Sequence, residues 1–455
     1  MSGLSKTIDQ LSPQQRAILE LRLKQRRVPS SPAPQQDEEN LVLAQSIDSV
    51  DQLLAKFYGR FPWPWRAAKF DYLEDADFET VMLNQDLGDW QHETVPRQAR
   101  VWVAGCGTNQ AIHTALRFRN ANVTGSDVST KSLSICGENA RQLDLPNLEL
   151  KNESINTVPY RDQFDYLVCT GVIHHNADPQ ATLQKLAGAL KPSGILELMV
   201  YNRYHRLVTS SFQKAIRIFG EEREDIDFDA DLAIAKKLLD SLPLRESFER
   251  AFIQYMDWAE SDLADLLIQP VEHSYTVESL EQLAESCGLE LVAPCISMYA
   301  KNLAAIEWNL DIKDPELREE YYKLPDTRRW QVTNLLLQEN SPLLWFYFQR
   351  KDANRPRKSE RQICEEFLHT RFERVETTQR SYLKDEENHY RLSSTLVPYP
   401  MAAPAGPVKE VYRAVDPRLT MGEVLERVGI EPTFRNINPI RLKLATSAYP
   451  YLRSV

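Results

Sequence analysis

Arg100–Gln110 reads RVWVAGCGTNQ, and this stretch decides the fold. A short apolar run leads into two glycines one residue apart and then into a helix start. Gly105 and Gly107 leave the backbone bare where a ligand must come close. About 20 residues on, a second apolar run, NVTGSD (Asn122–Asp127), ends in a carboxylate. That spacing suits a strand–turn–helix–strand unit whose second strand presents an acid to a ribose. No third glycine follows Gly107 at the offset of the dinucleotide fingerprint, so the pattern is a glycine-rich nucleotide turn of another kind.

Outward from this unit, strands and helices alternate. Leu148–Lys151 and Phe164–Cys169 read as strands three and four. Asp178-Pro179 opens a helix with Leu183, Leu186, Ala187 and Leu190 on one face, and Ile195–Val200 reads as strand five. Repeated β-α units of this length imply a parallel sheet covered by helices on both faces, with ligands outside the carboxyl ends of the strands. The regular spacing then breaks. Residues 202–270 and 294–342 read as insertions, helical and charged, that cap the strand ends as lids. Between them, Thr276 caps a helix over Val277–Ser286, and Leu289–Ala293 is strand six. Leu344–Phe348 is the last strand.

The 455 residues fit two or three domains. We expect an N-terminal helix and linker over 1–40, a main domain over 41–355 and an accessory α+β domain over 356–455. In the first, Ser12 and Pro13 start a helix, and three prolines follow it. A 42% hydrophobic fraction supplies a packed core. The net charge of −11 and the pI near 5.4 argue against a general nucleic-acid partner. No apolar run approaches membrane-spanning length, and the N-terminus lacks a signal core, so no membrane partner is expected. Six scattered cysteines without C-x-x-C pairing imply a reducing cytoplasm and no metal site.

With these blocks in order, Arg100–Tyr201 resembles the class I S-adenosylmethionine-dependent methyltransferases. The matching segments are VWVAGCGTNQ, GSDVS, TGVIHHNADP and LQKLAGALKPSGIL. The resemblance implies a Rossmann-like, seven-stranded sheet whose last strand runs antiparallel, with S-adenosyl-L-methionine as cofactor. It implies that Gly105, Cys106 and Gly107 pass the methionine part of that cofactor. Asp127 would hold its ribose, Val128 its adenine face, Glu153 and Ser154 its adenine edge, and Thr170 and Gly171 its sulfonium. Glu153 stands where the family more often has Asp. A second, shorter segment, LSPQQRAILELRLKQR, resembles the start of modules in nonribosomal peptide and polyketide synthases. It directs the acceptor expectation to secondary metabolism, either a small molecule or an intermediate held on a carrier protein.

Methyl transfer to oxygen, nitrogen or carbon needs an aligned acceptor and a proton sink. His174 and His175, just past strand four, are the candidate bases, since imidazole titrates near neutrality. The competing role for the pair is to shape the loop, with one ring hydrogen-bonded to backbone. Tyr58, Tyr201 and His205 are the candidate acceptor contacts. The competing reading is a sheet kept as a non-catalytic scaffold that docks a synthase or regulatory partner. The acceptor atom and the oligomeric state are not legible.

Overall fold

The computed structural model describes residues 47–63, 69–221, 223, 226–241, 259–296, 308–336 and 343–455. The expected helix and linker over 1–40, with the synthase-like segment, lie outside them. In chain order the first elements are α1 (Ile47–Arg60), β1 (Lys69–Leu73), α2 (Phe78–Asp86), β2 (Arg100–Ala104), α3 (Gln110–Arg117), β3 (Asn122–Asp127), α4 (Thr130–Gln142), β4 (Leu148–Asn152), β5 (Phe164–Thr170), α5 (Pro179–Ala189) and β6 (Leu190–Tyr201). The first insertion supplies α6 (Arg203–Phe219), α7 (Phe228–Ser241) and α8 (Glu260–Leu267); α9 (Val277–Ser286) and β7 (Leu289–Pro294) follow, the second insertion supplies α10 (Pro315–Lys323) and α11 (Asp326–Leu336), and β8 (Leu343–Arg350) comes after it.

Seven strands form one sheet in the order β4-β3-β2-β5-β6-β8-β7. β8 runs antiparallel to both its neighbours, and the β4-to-β6 part is parallel. The sequence explains the placement. Val101, Trp102 and Val103 in β2 are all fully buried, as a parallel strand covered on both faces requires. Trp102 can be buried because its indole N–H donates to Ser126 Oγ at 2.8 Å. Ser129 caps α4 by accepting from Ser132 N at 3.2 Å, and Asp178 caps α5 by accepting from Ala181 N at 2.9 Å. Each cap contributes about 1 kcal/mol and fixes where its helix starts over the strand ends.

The remaining chain gives α12 (Glu360–His369), β9 (Phe372–Arg374), β10 (Thr377–Lys384), β11 (Tyr390–Leu392), β12 (Val397–Tyr399), α13 (Val408–Ala414), α14 (Met421–Arg427), α15 (Phe434–Leu444) and three short final strands. This α+β part packs its own apolar cluster around Phe367, Phe372, Val411 and Leu425. It is also laced to residues ahead of the large sheet. β10 pairs antiparallel with β1, Phe70 opposite Tyr382. From α2, Gln85 Nε2 donates to the carbonyls of Ala445 and Leu452, and Asp86 accepts from Ser447 N at 2.9 Å. Leu41–Val455 form one compact unit. The sequence reading gave Lys69–Leu73 no strand, because its partner lies some three hundred residues away. No helix among the described residues is long and apolar enough to cross a membrane.

Candidate functional site

The turn after β2 is shaped by its glycines. Gly105 has φ +71° and Gly107 φ +54°, the left-handed region. The N–H groups of Gly105 and Cys106 both donate to the Ser126 carbonyl, at 2.8 and 2.9 Å, which ties the turn to the end of β3. A Cβ on Gly105 would lie 2.5 Å from Val172 Cγ2, so the bare backbone also admits the segment after β5. Asp127 closes the other side. Its Oδ2 accepts from Gly107 N and its Oδ1 from Ser129 N, each at 2.8 Å. Burial pushes this carboxyl up, and the backbone N–H bonds from Ser129 and Gly107 oppose the rise. Each oxygen keeps a further lone pair.

A cavity of about 900 Å³ opens from this cradle. It is lined by all nine expected cofactor residues: Gly105, Cys106, Gly107, Asp127, Val128, Glu153, Ser154, Thr170 and Gly171. Cys106 is a buried thiol. Its contact with the Cys136 thiol, then burial and Asp127, push it well above its ordinary value, so it fills space and stays protonated. Tyr160 donates to Glu153, and Ser154 donates to Asp51. Gln110 at the start of α3 donates to Thr170 Oγ1, bridging two strand ends.

Tyr58, Tyr201 and His175 line the cavity too; His174 and His205 do not. His175 has its Nδ1 2.8 Å from the Val271 carbonyl, which fixes Nδ1 as the protonated nitrogen. Burial lowers it to about 4. His174 is fully buried, and neither ring nitrogen has a hydrogen-bond partner among the described residues. Burial first, then His175 and Arg206, hold it well below the imidazole range. Its ring packs 4.1 Å from that of Tyr201.

Several lining residues escaped the sequence reading. Asp51 and Leu54 lie seven and four positions before Tyr58 on α1, which puts all three on one helical face. Trp63 also lines the cavity, and its carbonyl accepts from Thr108 N at 3.1 Å. Asp265 comes from the first insertion, Glu197 from mid-β6, and Trp345 and Tyr347 from β8; no local signal marks any of them.

Residues 99–225 match the family described as "Methyltransferase domain". That match coincides with the strand order and the glycine–Asp127 cradle. Over residues 99–225 the chain is thus similar to a methyltransferase domain, and its sheet has the Rossmann-like methyltransferase fold. Across the wider chain, an uncharacterised protein of Synechococcus sp. is 29% identical over 263 residues, which is 53% of this chain and 59% of that protein. A ubiquinone biosynthesis O-methyltransferase of Paracidovorax citrulli is 29% identical over 117 residues, 25% of this chain and 49% of that protein. The chain thus spans about half the length of these curated relatives. The solved structure of PKMT2 from Rickettsia typhi, known also in complex with AdoHcy, shares the fold. Its TM-score is 0.51 at 13% identity, over 83% of this chain and 75% of that one.

The cofactor of a class I methyltransferase domain is S-adenosyl-L-methionine, and the donor set here fits it. Asp127 offers lone pairs to a diol, Val128 an apolar face, and the Gly105–Gly107 backbone a close approach. All of them face one cavity.

Proposed function

We propose that this protein is an enzyme that transfers a methyl group from S-adenosyl-L-methionine to an acceptor held in the same cavity. The observation that carries this reading is the continuity of the cavity. It runs from the Gly105–Asp127 cradle to a second wall built by Tyr58, Tyr201, Asp265 and Trp345. The cofactor supplies an activated methyl on a sulfonium, whose leaving group is a neutral thioether. The chain's own residues have the tasks of holding and aligning. In this reading Asp127 binds the ribose hydroxyls, Val128 and Ser154 flank the adenine, and Gly105, Gly107 and Gly171 give the polar tail and the sulfonium room.

α1 arches over the cradle. Asp51 accepts from Ser154 and from Asn156 Nδ2, the latter at 3.2 Å, while Tyr58 reaches the acceptor wall. Covering the cradle in this way limits water at the reacting centre. Both histidines remain in the proposed acceptor region, with His175 at the cavity surface and His174 behind it.

The acceptor we propose is a small molecule, free or carried by a protein partner. A cavity of about 900 Å³ is of small-molecule size and is walled by aromatic rings with a few polar groups. Isothermal titration with S-adenosylhomocysteine is the test. Wild-type binding that is weakened in Asp127→Ala is the expected result; no wild-type binding overturns the reading.

A further inference from the structure

Asp265 stands on α8, in the first insertion, and lines the cavity. It is only 7% exposed. Tyr58 Oη donates to its Oδ1 at 3.2 Å and Tyr201 Oη to its Oδ2 at 3.3 Å. Gln269 Nε2 in turn donates to Tyr58 Oη at 2.6 Å. Three separate elements, α1, β6 and α8, therefore converge on one carboxylate. The Tyr201 ring lies against His174, which follows Gly171 and the end of β5, so this carboxylate flanks the strand ends where the acceptor must sit. Gln269 Nε2 also donates to Oδ1, at 3.5 Å, so it is Oδ2 that keeps a lone pair beyond the tyrosine bond.

The neighbouring groups are already committed. Arg206 is closed onto Glu272, Nε to Oε1 at 2.9 Å, with both side chains buried. The Nδ1–H of His175 is spent on Val271, and burial, lowering the ring to about 4, makes its Nε2 a weak base. Asp127 is held by the glycine turn.

We propose that Asp265, braced by Tyr58 and Tyr201, takes the proton that the acceptor atom sheds as it is methylated, and that the acceptor is an amine or a hydroxyl compound. The inference rests on the methyl-transfer reading. In the step, the lone pair of the acceptor atom forms the new bond to the methyl carbon. The sulfur–carbon pair stays on sulfur, and the N–H or O–H proton passes to Asp265 and then to water.

The electrostatics agree. Burial pushes Asp265 up to about 6, with Arg206 lowering it, Glu272 raising it, and the Tyr58 and Tyr201 hydroxyls lowering it. It is thus ionised at neutral pH yet more basic than an ordinary carboxylate, and more basic than His175 at about 4. An acceptor without a proton to lose, such as a thioether or a carboxylate, has no use for this group.

The test uses the full chain loaded with S-adenosylhomocysteine, with phenol, n-butylamine and acetate as probes followed by ligand-observed NMR. Wild type is expected to bind phenol or n-butylamine and to prefer it to acetate. Asp265→Asn should weaken that probe by about 10-fold or more while the affinity for S-adenosylhomocysteine stays within about twofold. Isotope-edited infrared should find a carboxyl titrating near pH 6 in wild type and missing in the variant. Probe binding that is absent in wild type, or unchanged in Asp265→Asn, overturns the proposal. Failure of wild type to bind S-adenosylhomocysteine falls instead on the methyl-transfer reading. If Asp265→Asn does not fold, Tyr58→Phe with Tyr201→Phe takes its place. Loss of two bonds to the ionised form should move the infrared midpoint upward, and an unmoved midpoint overturns the proposal.

Discussion

The two halves of the cavity are built in opposite ways. On the cofactor side, Asp127 meets Gly107 N and Ser129 N, 20 and 2 residues away. These bonds lie within consecutive strand–helix units and use the backbone. On the acceptor side, Asp265 meets Tyr58 across 207 residues, and Arg206 meets Glu272 across 66. Those contacts join side chains of separate elements, several of them charged and buried. The cofactor half depends on conformation at a few positions. The acceptor half depends on every buried charge keeping its partner.

The sharpest way to break this contrast is at Arg206. Its side chain is 5% exposed and that of Glu272 2%. Burial raises the Glu272 carboxyl, but Arg206 outweighs it and holds the group below its ordinary value. Arg206→Met leaves Glu272 a buried anion with no cation paired to it and, among the described residues, only the Gln213 amide donating to it at 3.0 Å, so urea unfolding should show a loss of about 3–5 kcal/mol. Arg206→Met with Glu272→Leu should recover most of that, because no charge is then stranded. A single-variant loss below about 1 kcal/mol would mean that water reaches the pair.

On the cofactor side, Gly105→Val has the largest expected effect. Valine at φ +71° is strained, and its Cβ would meet Val172 Cγ2 at 2.5 Å. We expect more than about 100-fold loss of S-adenosylhomocysteine affinity by isothermal titration, roughly 3 kcal/mol. Comparing Gly105→Ala with and without Val172→Ala separates the two causes. The second change removes the clash and leaves the backbone strain.

Asp127→Ala should follow, at about 10- to 100-fold, since bonds to a charged acceptor contribute about 1.5–3 kcal/mol. Asp127→Asn keeps one carbonyl oxygen and should fall between. Equal losses in the two variants would show that only the charge matters.

The same contrast explains what was legible in the sequence. Gly105, Gly107, Asp127, Thr170 and Gly171 sit at the ends of regular strands, where hydrophobic periodicity and turn chemistry fix their relative positions. All nine expected cofactor positions line the cavity. Caps at Asp178 and Thr276 were legible because each is satisfied within three residues of itself. Tyr58 and Tyr201 were legible as candidate acceptor contacts, and both line the cavity. Asp265, Glu197 and Tyr347 were not, since a carboxylate in a helix or a tyrosine in a strand has the same local pattern whether it faces solvent, core or ligand. Their role is set by partners in distant elements. β1 escaped for the same reason, its only ladder partner among the described residues being β10.

The smallest predicted effect concerns stability at Asp265 and has an unusual sign. This carboxyl is raised to about 6 by burial, above the value of about 4 expected when unfolded. Its contribution to folding is therefore fully present below pH 4 and lost as pH rises through 6. At pH 7.5 the fold holds an ionised carboxylate at a cost of at most about 3 kcal/mol, from about 1.4 kcal/mol per pKa unit. Asp265→Asn removes that cost. Relative to wild type, urea unfolding should therefore favour the variant by about 1–2 kcal/mol more at pH 7.5 than at pH 4. A stability difference that does not change with pH would mean that Asp265 titrates as it does in water. The acceptor wall would then lack the poised base that separates it from the cofactor cradle.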